Sequence, residues 1–291
     1  RLLTAAPVFA AASAAGPAAA QTPAPLRGTG DLGLVIERAA GSALIVETTG
    51  RSVLARVEGL GDLSHASLCV SRDERFAYVF GRDGGLTKVD LIEARIANRI
   101  VQGGNSIGGA ISDDGALVAV SNYEPGGVRV FDAATLALVA DVPAIGANGL
   151  PSKTVGLVDI PGRAFVYALY DAGEIWRLEL PKGREPRVTR LAGVGKLPYD
   201  ANVTGDGRHY FAGLFGEDGV AHVDLWQEPL AAVRVLNGYG KGEAPLPVYK
   251  MPHYEGWGST QNRLFLPAIG RDELIEIDRD GQIMAPVGPE E

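Results

Sequence analysis

Short apolar runs separated by polar, glycine-rich turns fill the chain from about residue 33 onward, and one order of them recurs. Each unit reads as an apolar strand, a polar turn, an apolar strand, a Gly/Asp turn, and an apolar strand closed by an acid. The five units are "SHASLCVSRDERFAYVFGRDGGLTKVDL", "IGGAISDDGALVAVSNYEPGGVRVFD", "TVGLVDIPGRAFVYALYDAGEIWRLEL", "DANVTGDGRHYFAGLFGEDGVAHVDL" and "EGWGSTQNRLFLPAIGRDELIEID". Their closing acids are Asp90, Asp132, Glu179, Asp224 and Asp278, separated by 42, 47, 45 and 54 residues. A period of roughly 40–50 residues with several strands per unit is that of a propeller blade. Ahead of the first unit, "GLVIERAAGSALIVETTGRSVLARVEG" (Gly33–Gly59) supplies about three more strands. No segment of useful length has helical spacing.

The pattern therefore predicts an all-β fold, a β-propeller of four-stranded antiparallel blades spanning residues 31–291. The chain covers about five to six of them, the leading one partial. The tail "RDGQIMAPVGPEE" lacks the partner strands of a closed ring, so a C-terminally truncated ring is expected; a closed five- or six-bladed ring is the second choice. In such a ring the first strand of each unit lines a central channel. His65, Gly108-Gly109, Val155-Gly156, Asp200-Ala201 and Gly256-Trp257 then stand at the starts of those strands, around one funnel mouth.

Composition narrows the class. Hydrophobic residues make up 46% and charged residues 21% of the 291, which suits a soluble globular domain rather than a disordered chain. The formal net charge of −8, without like-charge runs, argues against a duplex nucleic-acid partner. The lone cysteine, Cys69, excludes an intrachain disulfide, a C-x-x-C metal or redox site, and a c-type haem attachment. "RLLTAAPVFAAASAAGPAAA" (residues 1–20) reads as the remainder of an export signal, with residues 21–30 a linker, so a periplasmic location is expected. No later stretch is apolar for the ~20 residues of a membrane span.

Among the chemistry-bearing residues, His65 ("GDLSHAS") and His253 ("KMPHYEGW") both precede a first strand and are candidates to face the funnel. Histidine ligates metals and carries protons near neutral pH. His209, in the polar turn "GDGRH", is expected to be exposed, and His222, in "VAHVDL", half-buried and structural. Arg82 in "GRDGG" is either a solvated turn residue or a fork for a carboxylate. Asp159 before Pro161 and Asp171 in "YDAGEIW" both fit ordinary turns. Tyr199 is a loop aromatic, and Cys69 reads as a small buried hydrophobe. "GGNSIGG" (Gly103–Gly109) precedes a strand, so a phosphate cradle is weakly supported. There is no nucleophile-elbow motif and no His-x-x-x-His.

The strings "GLGDLSHAS", "YVFGRDGGLTKVDL", "GNSIGGAIS", "NYEPGGV", "TVGLVDIPG" and "DAGEIW", with "LPVYKMPH" and "EGW", resemble the NirF family of periplasmic haem d1 biosynthesis proteins, from about Arg27 to Asp278. That family resembles NirN and the haem d1 domain of cytochrome cd1 nitrite reductase. The resemblance implies an eight-bladed ring, of which this chain lacks roughly the last two blades. It implies haem d1 or its dihydro precursor as ligand or substrate, and haem d1 assembly proteins and nitrite reductase as partners. It implies an essential histidine, matched by His65, and an essential aspartate, placed at Asp159 with Asp171 second. Asp159 and Tyr199 fall near positions where the reductase domain carries distal histidines; neither is histidine here, which argues against nitrite reduction. Arg82 becomes a clamp for a haem d1 carboxylate, Tyr199 a ligand contact, and His65 or His253 an iron ligand. An enzyme of a late assembly step, a non-catalytic carrier or scaffold, and a cofactor-free interaction propeller remain alternative readings.

Overall fold

The computed structural model describes residues 30–237, 258–260, 263–268, 273–278 and 283–287, and among these every element is a strand. The first sheet is β1 (Leu32–Glu37), β2 (Ser42–Glu47) and β3 (Ser52–Val57). The second is β4 (Ser67–Val70), β5 (Phe76–Phe80), β6 (Gly85–Asp90) and β7 (Arg95–Val101). The third is β8 (Asn105–Ile111), β9 (Leu117–Glu124), β10 (Val128–Asp132) and β11 (Leu138–Val142). The fourth is β12 (Thr154–Ile160), β13 (Ala164–Leu169), β14 (Glu174–Glu179) and β15 (Arg187–Leu191). The fifth is β16 (Pro198–Val203), β17 (His209–Leu214), β18 (Val220–Asp224) and β19 (Ala232–Val235). The sixth is β20 (Gly258–Ser259), β21 (Arg263–Ala268), β22 (Glu273–Asp278) and β23 (Ile283–Val287). Each sheet is an antiparallel meander paired in chain order, with one three-stranded and five four-stranded sheets. The acids that close the third strand of each repeat are the last residues of β6, β10, β14, β18 and β22, as the pattern predicts.

The strands follow from two-sided burial. "FAYVF" (β5), "AFVYAL" (β13) and "HYFAGL" (β17) are near-continuous apolar runs because both faces of each sheet are covered. Alternate residues serve alternate neighbours. Ala77 and Val79 of β5 pack toward Ile45 of the first sheet, while Tyr78 and Phe80 pack toward Val118 and Val120 of the third. The core is accordingly divided into clusters between successive sheets, with Trp176 and Tyr167 between the third and fourth and Tyr210 between the fourth and fifth. Outer strands such as "RIANRIV" (β7) are only partly covered. First strands pack side by side, β4 against β8, β8 against β12 and β12 against β16, and so form the inner wall.

Two turns recur with the same chemistry. Between the first and second strands, the hydroxyl of Ser71, Ser112 or Thr204 donates to Asp73, Asp114 or Asp206 (2.5–2.7 Å). The same hydroxyl accepts the backbone N–H that opens the next strand, at Phe76, Leu117 or His209. Between the third and fourth strands the closing acid accepts N–H groups of the turn: Asp90 from Ile92 and Glu93, Asp132 from Ala134 and Thr135, Asp224 from Trp226. Arg75 and Arg208 each fork onto that acid in their own sheet. The Arg208 fork, with the Trp226 N–H, holds the Asp224 carboxyl down to about 2 against the cost of partial burial.

The inner glycines serve packing. A Cβ on Gly109 would stand 2.4 Å from the Phe80 ring and from the Ala119 carbonyl oxygen, behind the inner wall. Gly156 has φ +59° at a register shift in β12, where its carbonyl accepts from the Tyr210 hydroxyl (2.8 Å), and a Cβ would meet Ala201 at 2.7 Å. These glycines let β8 and β12 approach a neighbouring sheet closely.

Two outcomes are expected. Gly109→Ala should destabilise by about 1–3 kcal/mol through overpacking, read as a lower denaturant midpoint with unchanged slope. Asp224 has a folded pKa below its unfolded one, so its contribution is complete above about pH 4 and fades as pH falls toward 2. Asp224→Asn should therefore cost about 1 kcal/mol at neutral pH, after allowance for solvent screening. It should also flatten the loss of thermal stability between pH 4 and 2.

Candidate functional site

The first strands of the second to fifth sheets enclose a funnel-shaped cavity of about 390 Å³. Its wall includes His65, Ser67 and Cys69 around β4, Gly108 of β8, Asp159 of β12, and Asp200 and Asn202 of β16. All four strands run in the same direction through the repeat. Their N-terminal ends, with the turns joining second and third strands, make the mouth; their C-terminal ends make the far end.

His65 lies two residues before β4 at the mouth, half-buried. Its Nδ1 is buried without a hydrogen-bond partner among the described residues. A buried, unpaired ring nitrogen costs about 1–3 kcal/mol, a loss that a bound partner can relieve. Arg82 sits in the β5–β6 turn at the same end, exposed, its backbone N–H held by the Asp62 carbonyl (2.8 Å). Among the described residues no hydrogen bond from its guanidinium is found, and its charge reaches the phenol of Tyr199 in the fifth sheet, across the mouth.

Tyr199 belongs to an aromatic shelf that the sequence reading did not assemble. Its ring stacks on Phe215 at 4.4 Å and meets Tyr170 edge-on at 5.5 Å. Its hydroxyl bonds that of Tyr123. Burial first of all raises the pKa of both phenols, so both stay protonated at neutral pH. Tyr123, Tyr170 and Phe215 sit where the second strand of three successive repeats ends, in "SNYE", "ALYD" and "GLFG". The recurrence of an aromatic residue at that place was the available signal.

Asp159 is placed differently from His65. It is the penultimate residue of β12, at the far end, where its carboxylate takes a 2.6 Å bond from Arg72, the second residue after β4. His65 and Val70, the last residue of β4, are five residues apart, on the order of 15 Å in an extended strand. The two predicted site residues thus line one cavity from opposite ends. Asp171 is a mouth turn residue that accepts from the backbone N–H (2.9 Å) and ammonium (3.3 Å) of Lys153. His253, with Gly256 and Trp257, lies outside the described residues. His209, expected to be exposed, is instead buried as the first residue of β17. Its Nδ1 meets Nε2 of buried His222 at 2.9 Å, behind the inner wall. The correction has a simple cause: the polar turn ends at Arg208, and His209 is already on the face covered by the sixth sheet. Burial, with Asp159 adding, pushes the Cys69 thiol up to about 12, so it lines the funnel as a neutral thiol. Among the described residues no cluster of three or more His, Cys, Asp or Glu could hold a bare metal ion. Among them, too, no helix is long and apolar enough to cross a membrane.

The Cytochrome D1 heme domain family matches residues 27–282. Protein NirF of Stutzerimonas stutzeri is 59% identical over 256 residues, 87% of this chain and 66% of that protein. Protein NirF of Pseudomonas aeruginosa is 59% identical over the same length, covering 65% of it. The chain thus spans about two thirds of the length of these relatives. Among solved structures, dihydro-heme d1 dehydrogenase NirN in complex with DHE superposes with a TM-score of 0.72 at 26% identity, over 91% of this chain and 54% of that one. With the repeat, the meander sheets and the matched span in agreement, the chain belongs to the Cytochrome D1 heme domain family and is similar to Protein NirF.

Proposed function

We propose that this chain holds haem d1 or its late dihydro precursor in the funnel and serves a late step of haem d1 assembly in the periplasm. The observation that carries the reading is His65: an imidazole without a hydrogen-bond partner among the described residues, Nδ1 buried, on the wall of the cavity. The match to the heme domain family and the complex known for NirN support a tetrapyrrole as the occupant. The donor set fits such a ligand. Imidazole suits iron or a proton transfer. The open fork of Arg82 suits a peripheral carboxylate. The cluster of Tyr170, Tyr199 and Phe215 offers apolar ring surface at the rim.

A bound tetrapyrrole supplies its own iron and conjugated ring; the residues of this chain hold it, orient it and move protons at its edge. Proton movement falls to His65, the group whose ring is disengaged. Asp159 is tied into an ion pair at the far end, which favours a carrier reading over a His65/Asp159 acid–base couple acting at the mouth.

Visible-range titration of the full chain with haem d1 and with the dihydro precursor should give a saturable Soret shift, altered in position by His65→Ala. Absence of a shift with either tetrapyrrole would sink the reading and leave a protein-interaction propeller. If His65→Ala still binds but blocks product formation, the chain catalyses the step; if binding is lost outright, the carrier reading stands. Arg82→Gln should weaken haem d1 binding by about tenfold, the worth of one charge-assisted hydrogen bond, with the spectrum of the bound form unchanged.

A further inference from the structure

We propose that Arg72 is an anion-receiving group at the far end of the funnel, built to take a carboxylate of the bound tetrapyrrole in place of Asp159. The inference rests on the reading that the funnel holds a carboxylate-bearing tetrapyrrole.

Arg72 reaches farther than the other arginines at these turns, since Arg163 and Arg177 extend only to the adjacent sheet. Arg75 and Arg208 fork onto the acid that closes the third strand of their own sheet, and Arg163 is used by Asp114 and the Leu180 carbonyl. Arg72 leaves the second sheet and crosses the third. Its Nε donates to the Ser112 carbonyl (3.1 Å) and its Nη2 to the Ile111 carbonyl (2.9 Å). Its stem lies over Gly115, where a Cβ would come within 3.0 Å of Cγ. Two neutral carbonyls thus fix the guanidinium without cancelling its charge. Among the described residues the one carboxylate it bonds is Asp159 of the fourth sheet, through Nη2 at 2.6 Å. Among the described residues Nη1 has no hydrogen-bond partner, which leaves part of the fork open.

The surroundings favour exchange. The Arg72 and Asp159 side chains are 47% and 36% exposed, and an ion pair this open to solvent is weak and replaceable. The other acids at this end are engaged: Asp113 by the N–H groups of Gly162 and Arg163, Asp114 by Ser112 and Arg163, Asp206 by Thr204 and the Arg208 N–H. Arg72 and Asp159 line both the funnel and a shallower cavity of about 400 Å³ beyond it, so the pair is the partition between the two. A guanidinium already positioned loses little freedom on accepting a ligand carboxylate. With exposed Arg82 in the turn at the mouth, a cationic fork then stands toward each end of the funnel.

The test is a visible-range titration of the full chain with haem d1 and with haem d1 whose carboxylates are methyl esters. Arg72→Gln should weaken binding of the free acid by about tenfold or more and leave the ester unchanged. Asp159→Asn removes the competitor and keeps the fixed guanidinium, so it should tighten the free acid several-fold and not the ester. That gain should vanish in the double variant, which separates exchange at Arg72 from a general loss of negative charge. Variants that bind acid and ester with wild-type affinity would make Arg72 a tie between sheets and overturn the proposal, while a Soret shift that still depends on His65 would leave the funnel reading intact. If Arg72→Gln does not fold, Asp159→Asn decides alone, and no gain for the free acid overturns the proposal. No shift of the wild type with haem d1 overturns both.

Discussion

The second strands of these sheets are largely apolar on both faces, and a sheet of that kind has nowhere to put their side chains except against another sheet. Tyr78 and Phe80 go one way and Ala77 and Val79 the other, so each sheet completes the core of two neighbours at once. Hydrogen bonds within a meander set its register, but stability lives in the layers between meanders. The turns are stiff for the same reason. Each hydroxyl and acid at a strand junction satisfies backbone groups that would otherwise be lost between two packed sheets.

That arrangement explains why the candidate site is made of distant pieces. A first strand contributes its outer-facing side to the layer behind it and its inner-facing side to the axis. The funnel therefore draws a few residues from each of four sheets. The two ends then differ in chemistry. The mouth carries aromatic rings and two groups with open valence, His65 and Arg82, beside the Lys153–Asp171 pair; the far end carries the Arg72–Asp159 pair and hydrogen-bonded acids. Asp159 and His65 answer to these two environments, and their roles diverge accordingly.

Much of the fold was legible because it is local and periodic. Strand order, sheet composition and the closing acids follow from a repeat that the eye can lay out along the chain. The site was legible only in part. His65 and Arg82 announce themselves because they stand in turns whose position in the repeat is fixed. The Arg72–Asp159 pair joins residues 87 apart through side-chain reach, which no period encodes. His209 was misjudged because hydrophilic neighbours in sequence say little about the face of the strand that follows them. Gly109 of β8 makes room for the Phe80 ring, a contact between sheets that no period encodes. Periodicity tells which strand a residue is on; which of two sheets it touches requires the angle between them.

That angle has its own source. Near the axis small residues, Gly109, Ala110 and Ala201, share the buried contacts with Val155 and Leu157, while farther out the third strands contribute Trp176, Leu178 and Phe131. The layer between two sheets is thus a wedge, thin at the centre and thick at the rim. The taper of side-chain volume along each layer sets how far one sheet is rotated from the next. Funnel width is then set in part by residues that do not line it, such as Ala201, Trp176 and Leu178. Enlarging a small side chain at the thin edge pries two sheets apart and widens the bore, and trimming a bulky one at the rim lets them close. Selection on the width of the funnel can act on this molecule from behind the wall.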